Sequence, residues 1–146
     1  MRNTKKFKFA IASSDGVSLT TKHFGDSESF VLGEVAEDGT SSITTHIRNE
    51  FKNVDETTAH GSTEKRRSIL SYLGEDIDFI IAGQMSPNFK KINTNTMVCP
   101  IVSEIIDIEL LLTHLKDNFH LLKEKQEAKA EKRETSILKI SKRTAI

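Results

Sequence analysis

Phe79-Ile80-Ile81-Ala82 is an unbroken apolar run, held between Asp78 and Gly83. A strand with one face in water alternates apolar and polar side chains, whereas a strand with no polar side must be covered on both faces. The run therefore predicts a strand covered on both faces, in a sheet with helices packed on it rather than a helical bundle.

The flanking patterns fit that requirement. Lys6 to Ser13 alternates, with Phe7, Phe9 and Ile11 to one side and Lys6, Lys8, Ala10 and Ala12 to the other. Ser29 to Val35 reads as a second strand, and Glu37-Asp38-Gly39 as a hairpin turn. Ser41 to Arg48 returns as a third, with Ile43, Thr45 and Ile47 expected on one side. The segment from Asn49 to Gly61 is polar and irregular, a loop of the length that often carries function.

After Gly61 the period changes. Ser62 is placed to cap a helix with Glu64 in its first turn, Ile69, Leu70 and Leu73 as its buried stripe, and Gly74 as its stop. Pro87 predicts the start of a short helix reaching about Ile92, and Thr96 to Val102 a fifth strand. From Asp107, Ile108, Leu111, Leu112, Leu115, Phe119 and Leu122 recur at helical spacing. Beyond Leu122 the apolar stripe ends in a run of charged helix formers with nothing to bury, predicting a solvated, fraying extension. The expectation is an α/β fold: a mixed five-stranded sheet flanked by helices over residues 1–122, and a charged helical or flexible tail over 123–146.

The 146 residues hold 21 Lys/Arg and 21 Asp/Glu. The balance is uneven along the chain. Residues 123–146 carry eight basic against four acidic side chains, leaving 13 against 17 in residues 1–122. An acidic body argues against a nucleic-acid partner. No apolar run nears the roughly 20 residues that span a bilayer, and the charged start leads into a strand, so no membrane association and a cytoplasmic location are expected. Cys99 is the only cysteine, which rules out an internal disulfide and a multi-cysteine metal site within one chain.

The leading candidate for chemistry is His23-Phe24-Gly25, on a loop between the first two strands. It offers an imidazole nitrogen where Gly25 leaves the backbone open to a ligand. Neutral imidazole is a common metal ligand; the plain alternative is a loop histidine bonded locally. His60, beside Gly61 at a helix entrance, would place an anionic ligand near the helix dipole, or is an exposed loop histidine. Cys99 is either a metal ligand or a small core residue. Met85 fills a gap, Asp15 serves its turn, and His46, His114 and His120 are surface or packing residues.

Catalysis is not expected. The first strand contains no carboxylate to begin a two-metal nuclease site, and one cysteine cannot support radical iron–sulfur chemistry. Neither a phosphate-binding glycine loop nor a nucleophile elbow is present.

The order of several short motifs resembles the dinitrogenase iron–molybdenum cofactor-biosynthesis family, that is, the small NifX/NafY-type carriers and the C-terminal domain of NifB-type proteins. The residues that carry this are Ile11-Ala12-Ser13-Ser14-Asp15-Gly16, His23-Phe24-Gly25, Phe30, Arg48-Asn49, His60-Gly61, Asp78 to Gly83, and Ser86-Pro87-Asn88. The similarity runs from about Lys6 to Leu115. Two positions depart from the pattern: Asp26 stands where many members have a basic residue, and Gly83-Gln84-Met85-Ser86-Pro87 has a single glycine.

The resemblance implies a ribonuclease-H-like fold and transient binding of an iron–sulfur-based cofactor, the iron–molybdenum cofactor or a precursor. His23 would be the metal ligand, with Gly25, His60 and Cys99 bordering the same pocket. The partners would be a cofactor donor or acceptor protein, and the carrier a monomer or homodimer. The competing reading is a metal-free interaction or regulatory module that uses the charged C-terminal helix.

Overall fold

The computed structural model describes residues 5–50, 63–74, 76–131 and 136–141. Its strands are β1 (Lys6–Ser13), β2 (Ser29–Ala36), β3 (Ser41–Arg48), β4 (Phe79–Ala82), β5 (Cys99–Ser103) and β6 (Leu138–Ile140). The helices are α1 (Thr63–Leu73), α2 (Pro87–Asn95), α3 (Ile108–Asp117) and α4 (Phe119–Ala130). One sheet contains all six strands in the order β3-β2-β1-β4-β5-β6. β2 runs antiparallel to both β1 and β3, while β4, β5 and β6 run parallel to β1.

The apolar run of β4 lies at the centre and is buried along its whole length. Its side chains alternate between two cores. Phe79 and Ile81 join Phe7, Phe9, Ile11 and Ile101 beneath Ile108, Leu111, Leu115, Phe119 and Leu122 of α3 and α4. Ile80 and Ala82 join Ala10, Ala12 and Phe30 beneath Ile69 and Leu73 of α1 and Phe89 and Ile92 of α2. The small Ala10 and Ala12 allow close approach of the second layer, and the stacked Phe7 and Phe119 rings (centroids 4.8 Å apart) fill the first. Caps fix the helix starts: Ser86 accepts from Phe89 N at 3.2 Å, and Asp107 accepts from Leu110 N at 3.1 Å.

Four expectations change. First, the sheet has six strands, not five. Leu138-Lys139-Ile140 pairs with Ile101 to Ser103, and Ile140 is buried in the core. A boundary after Leu122 would cut α4 and discard a strand. Second, the helix expected to run on from Asp107 breaks at Asn118, whose side-chain amide donates to His114 O at 2.9 Å. Third, α4 is docked beyond its apolar stripe: Gln126 Nε2 donates to Asp78 Oδ1 at 2.9 Å, and Lys129 Nζ donates to Val98 O. Polar anchors supply what hydrophobic periodicity cannot signal.

The fourth change is in β3. Leu32 faces Thr45 but Gly33 faces Ile43, so Thr44 is an extra residue, a bulge. It turns Ile43 to the opposite face from Thr45 and Ile47. Gly33 accommodates the bend, since a Cβ there would run into Ser42 O and the Phe9 ring. Two boundaries also shift, with α2 running to Asn95 and β5 beginning at Cys99. No helix among the described residues is long and apolar enough to cross a membrane.

Candidate functional site

The chain leaving β1 folds back over the carboxyl end of its own strand. Asp15 Oδ1 accepts from Val17 N at 3.0 Å and Ser18 N at 2.8 Å, and Gly16 takes a φ of +87°, which favours glycine. Ser13 Oγ ties the loop from within, accepting from Gly16 N and donating to Ser18 O at 2.6 Å. The two backbone bonds to Asp15 hold its carboxyl below the usual carboxylate range. Thr20 N then donates to Ala12 O at 2.8 Å, returning the chain to the sheet just before His23.

His23 precedes a single 3-10 turn, Phe24–Asp26, closed by Asp26 N donating to His23 O at 3.0 Å. The turn is fastened from behind. Phe24 is buried against Phe30 (4.8 Å between centroids) and Phe89 (5.6 Å). Asn49, itself buried at the end of β3, donates its side-chain amide to Gly25 O and Ser27 O, both at 2.9 Å. Ser27 Oγ donates to Phe24 O at 2.9 Å. Against that fixed backbone His23 stays about one-third exposed, with Nδ1 3.9 Å from Asp26 Oδ2. The motif thus offers a half-open imidazole on an ordered turn, with a carboxylate facing one edge of its ring.

The loop after β4 reaches the same end of the sheet. Gly83 passes so close to the Thr20 carbonyl that a Cβ would lie 2.7 Å from it. Met85 is half-buried against the Phe24 and Phe89 core, consistent with gap filling. His46 Nε2 lies 2.7 Å from Ser29 Oγ, which donates to Ser13 O at 3.1 Å, so this histidine braces the loop after β1.

Cys99 is elsewhere. It opens β5 opposite Phe79, which in turn pairs with Phe9. His23 follows the far end of β1, four residues beyond Phe9, or about 13 Å along the strand. The expectation that Cys99 borders the His23 pocket is therefore corrected: the parallel register of β1, β4 and β5 puts them at opposite ends of the sheet. Burial pushes the Cys99 thiol up, which disfavours the thiolate that metal ligation needs. His60 and Gly61 lie outside the described residues. Among the described residues no three His, Cys, Asp or Glu side chains gather as a metal site.

Sequence reasoning took Asn49 only as part of a motif and missed that it holds the histidine turn. The signal was a polar residue directly after an alternating strand. The Thr20–Gly83 contact had no local signal, because it joins residues far apart in the chain. The family model described as dinitrogenase iron-molybdenum cofactor matches residues 5–118. No curated protein and no solved structure matches the chain.

Proposed function

The chain belongs to the dinitrogenase iron-molybdenum cofactor family, and from that premise we propose that it is a non-catalytic carrier of an iron–sulfur-based cofactor. The cargo is the iron–molybdenum cofactor or a precursor, received from a donor protein and released to an acceptor. The observation that carries this reading is the part-exposed His23 imidazole on a turn fixed by Phe24 and Asn49. With Asp26 beside Nδ1, Nε2 is the nitrogen offered to iron. A single imidazole with open space around it suits a protein that must let its cargo go, since each added protein ligand slows release. Gly25 contributes by keeping side-chain bulk off the turn.

The ribonuclease-H-like reading of the fold is supported by the order β3-β2-β1-β4-β5, with β2 alone antiparallel among those strands. The absence of any carboxylate in β1 supports a non-catalytic role on such a fold. The competing module centred on the C-terminal helix draws no support from α4, because Gln126 and Lys129 are engaged with the sheet.

The test is anaerobic titration of the protein with isolated iron–molybdenum cofactor, followed by its visible absorption. His23→Ala should weaken binding at least about tenfold, equivalent to roughly 1.4 kcal/mol. The circular dichroism of the variant should match the parent's, since a part-exposed loop imidazole adds little to the core. Unchanged binding by His23→Ala, or failure of the full chain to bind the cofactor, would overturn the carrier reading.

A further inference from the structure

Three large apolar side chains stand out of the carboxyl end of the sheet: Val17 (66% exposed), Ile106 (41%) and Leu110 (60%). They come from two segments far apart in sequence. Leu19 N donates to Ile106 O at 2.8 Å, Ile108 N donates to Val17 O at 3.1 Å, and Ser18 bridges Asp107 antiparallel. Leu19 and Ile108, the other apolar members of this pairing, are buried. The core needs already met, Val17, Ile106 and Leu110 are left as a surface patch beside the loop that leads to His23.

The two segments that carry it bear charge of one sign. Residues 13–20 and 103–113 contain Asp15, Glu104, Asp107 and Glu109 and no lysine or arginine. An apolar centre with an acidic rim fits a surface of apolar centre and basic rim. A second copy presenting the same patch would set carboxylates against carboxylates, because a two-fold contact pairs a patch with itself.

We infer that Val17, Ile106 and Leu110 form a docking surface for a partner protein with a basic-rimmed apolar face. Its position, six residues of chain from His23, brings such a partner to the end of the sheet where the proposed cargo is held. The docking itself rests on the patch and its charge. Only the purpose of the encounter rests on the carrier reading.

The probe is a pair of fluorescent amphipathic helical peptides of identical pattern, one of Leu and Lys, the other of Leu and Glu, titrated into the full chain without cofactor. The Leu/Lys peptide should bind at least tenfold more tightly than the Leu/Glu peptide, by anisotropy. The double variant Val17→Ser/Leu110→Ser should lose at least tenfold of that affinity. Met97→Ser, which alters an exposed apolar residue at the other end of the sheet, should bind like the parent. Equal affinity for the two peptides, or equal loss in Met97→Ser, overturns the inference. A dimer in sedimentation equilibrium that Leu110→Ser dissolves also overturns it, by assigning the patch to a second copy. Because these titrations contain no cofactor, failure of cofactor binding at His23 leaves their outcome unaffected, and the reverse holds too.

Discussion

Asn49 holds Gly25: its side-chain amide donates to the Gly25 carbonyl at 2.9 Å and to that of Ser27 at the same distance, tying the end of β3 to the turn that carries His23. Asn49→Ala would remove this donor from both carbonyls. The expected cost is about 1–3 kcal/mol of stability, read as a lower denaturation midpoint. Cofactor affinity should fall as well, because the imidazole loses its fixed base. Asn49→Ala with unchanged affinity would show that the turn holds itself.

Gly83→Ala tests the contact between the loops after β1 and β4. The added methyl would lie 2.7 Å from Thr20 O, a backbone atom that can move only with its loop. Overpacking of this kind costs about 1–3 kcal/mol. Since Thr20 lies three residues before His23, the His23 imidazole resonances should shift in the NMR spectrum. A spectrum changed only near Gly83 would contradict the coupling.

Ile140→Ala addresses the tail. Ile140 is buried in the core beside α3 and α4, and its loss should cost about 2 kcal/mol in chemical denaturation. Binding at His23 should be unaffected once the protein is folded. A variant as stable as the parent would mean that β6 adds nothing to the sheet.

Asp15 gives a pH-dependent prediction. Its carboxyl is depressed by the backbone N–H groups of Val17 and Ser18. A depressed folded value means stabilisation that is present above the unfolded value near 3.9 and lost as pH falls through the folded one. The stability gap between the parent and Asp15→Ala should therefore be flat from about pH 5 to 8 and close below about pH 4. Denaturation curves across that range decide it; a gap that widens in acid has the wrong sign.

Much of this architecture was readable because it rests on periodicity. The alternation in β1, the unbroken run of β4 and the leucine spacing of α3 each report a local pattern of burial, and the folded chain obeys them. The features that escaped have causes without a period. β6 is three residues long in a charged segment, too short for alternation to register. The bulge at Thr44 depends on Gly33 in the neighbouring strand, and the end of α3 depends on one side-chain bond from Asn118. At the site, His23 and Gly25 were legible as a motif. The remoteness of Cys99 followed only once strand order and register were known, because they decide which end of the sheet a residue occupies.

The bulge has a further consequence for β3. It is an outer strand of eight residues, rich in Ser, Thr and Ile, with an exposed Ile43 and no proline. A straight ribbon of that composition would recruit strands from other molecules and seed aggregates. The kink at Thr44 breaks the outer edge of this strand into two short stretches aimed differently, neither long enough to template a lasting pairing. Gly33, by making room for that kink, guards the edge against such pairing from a position inside its sheet.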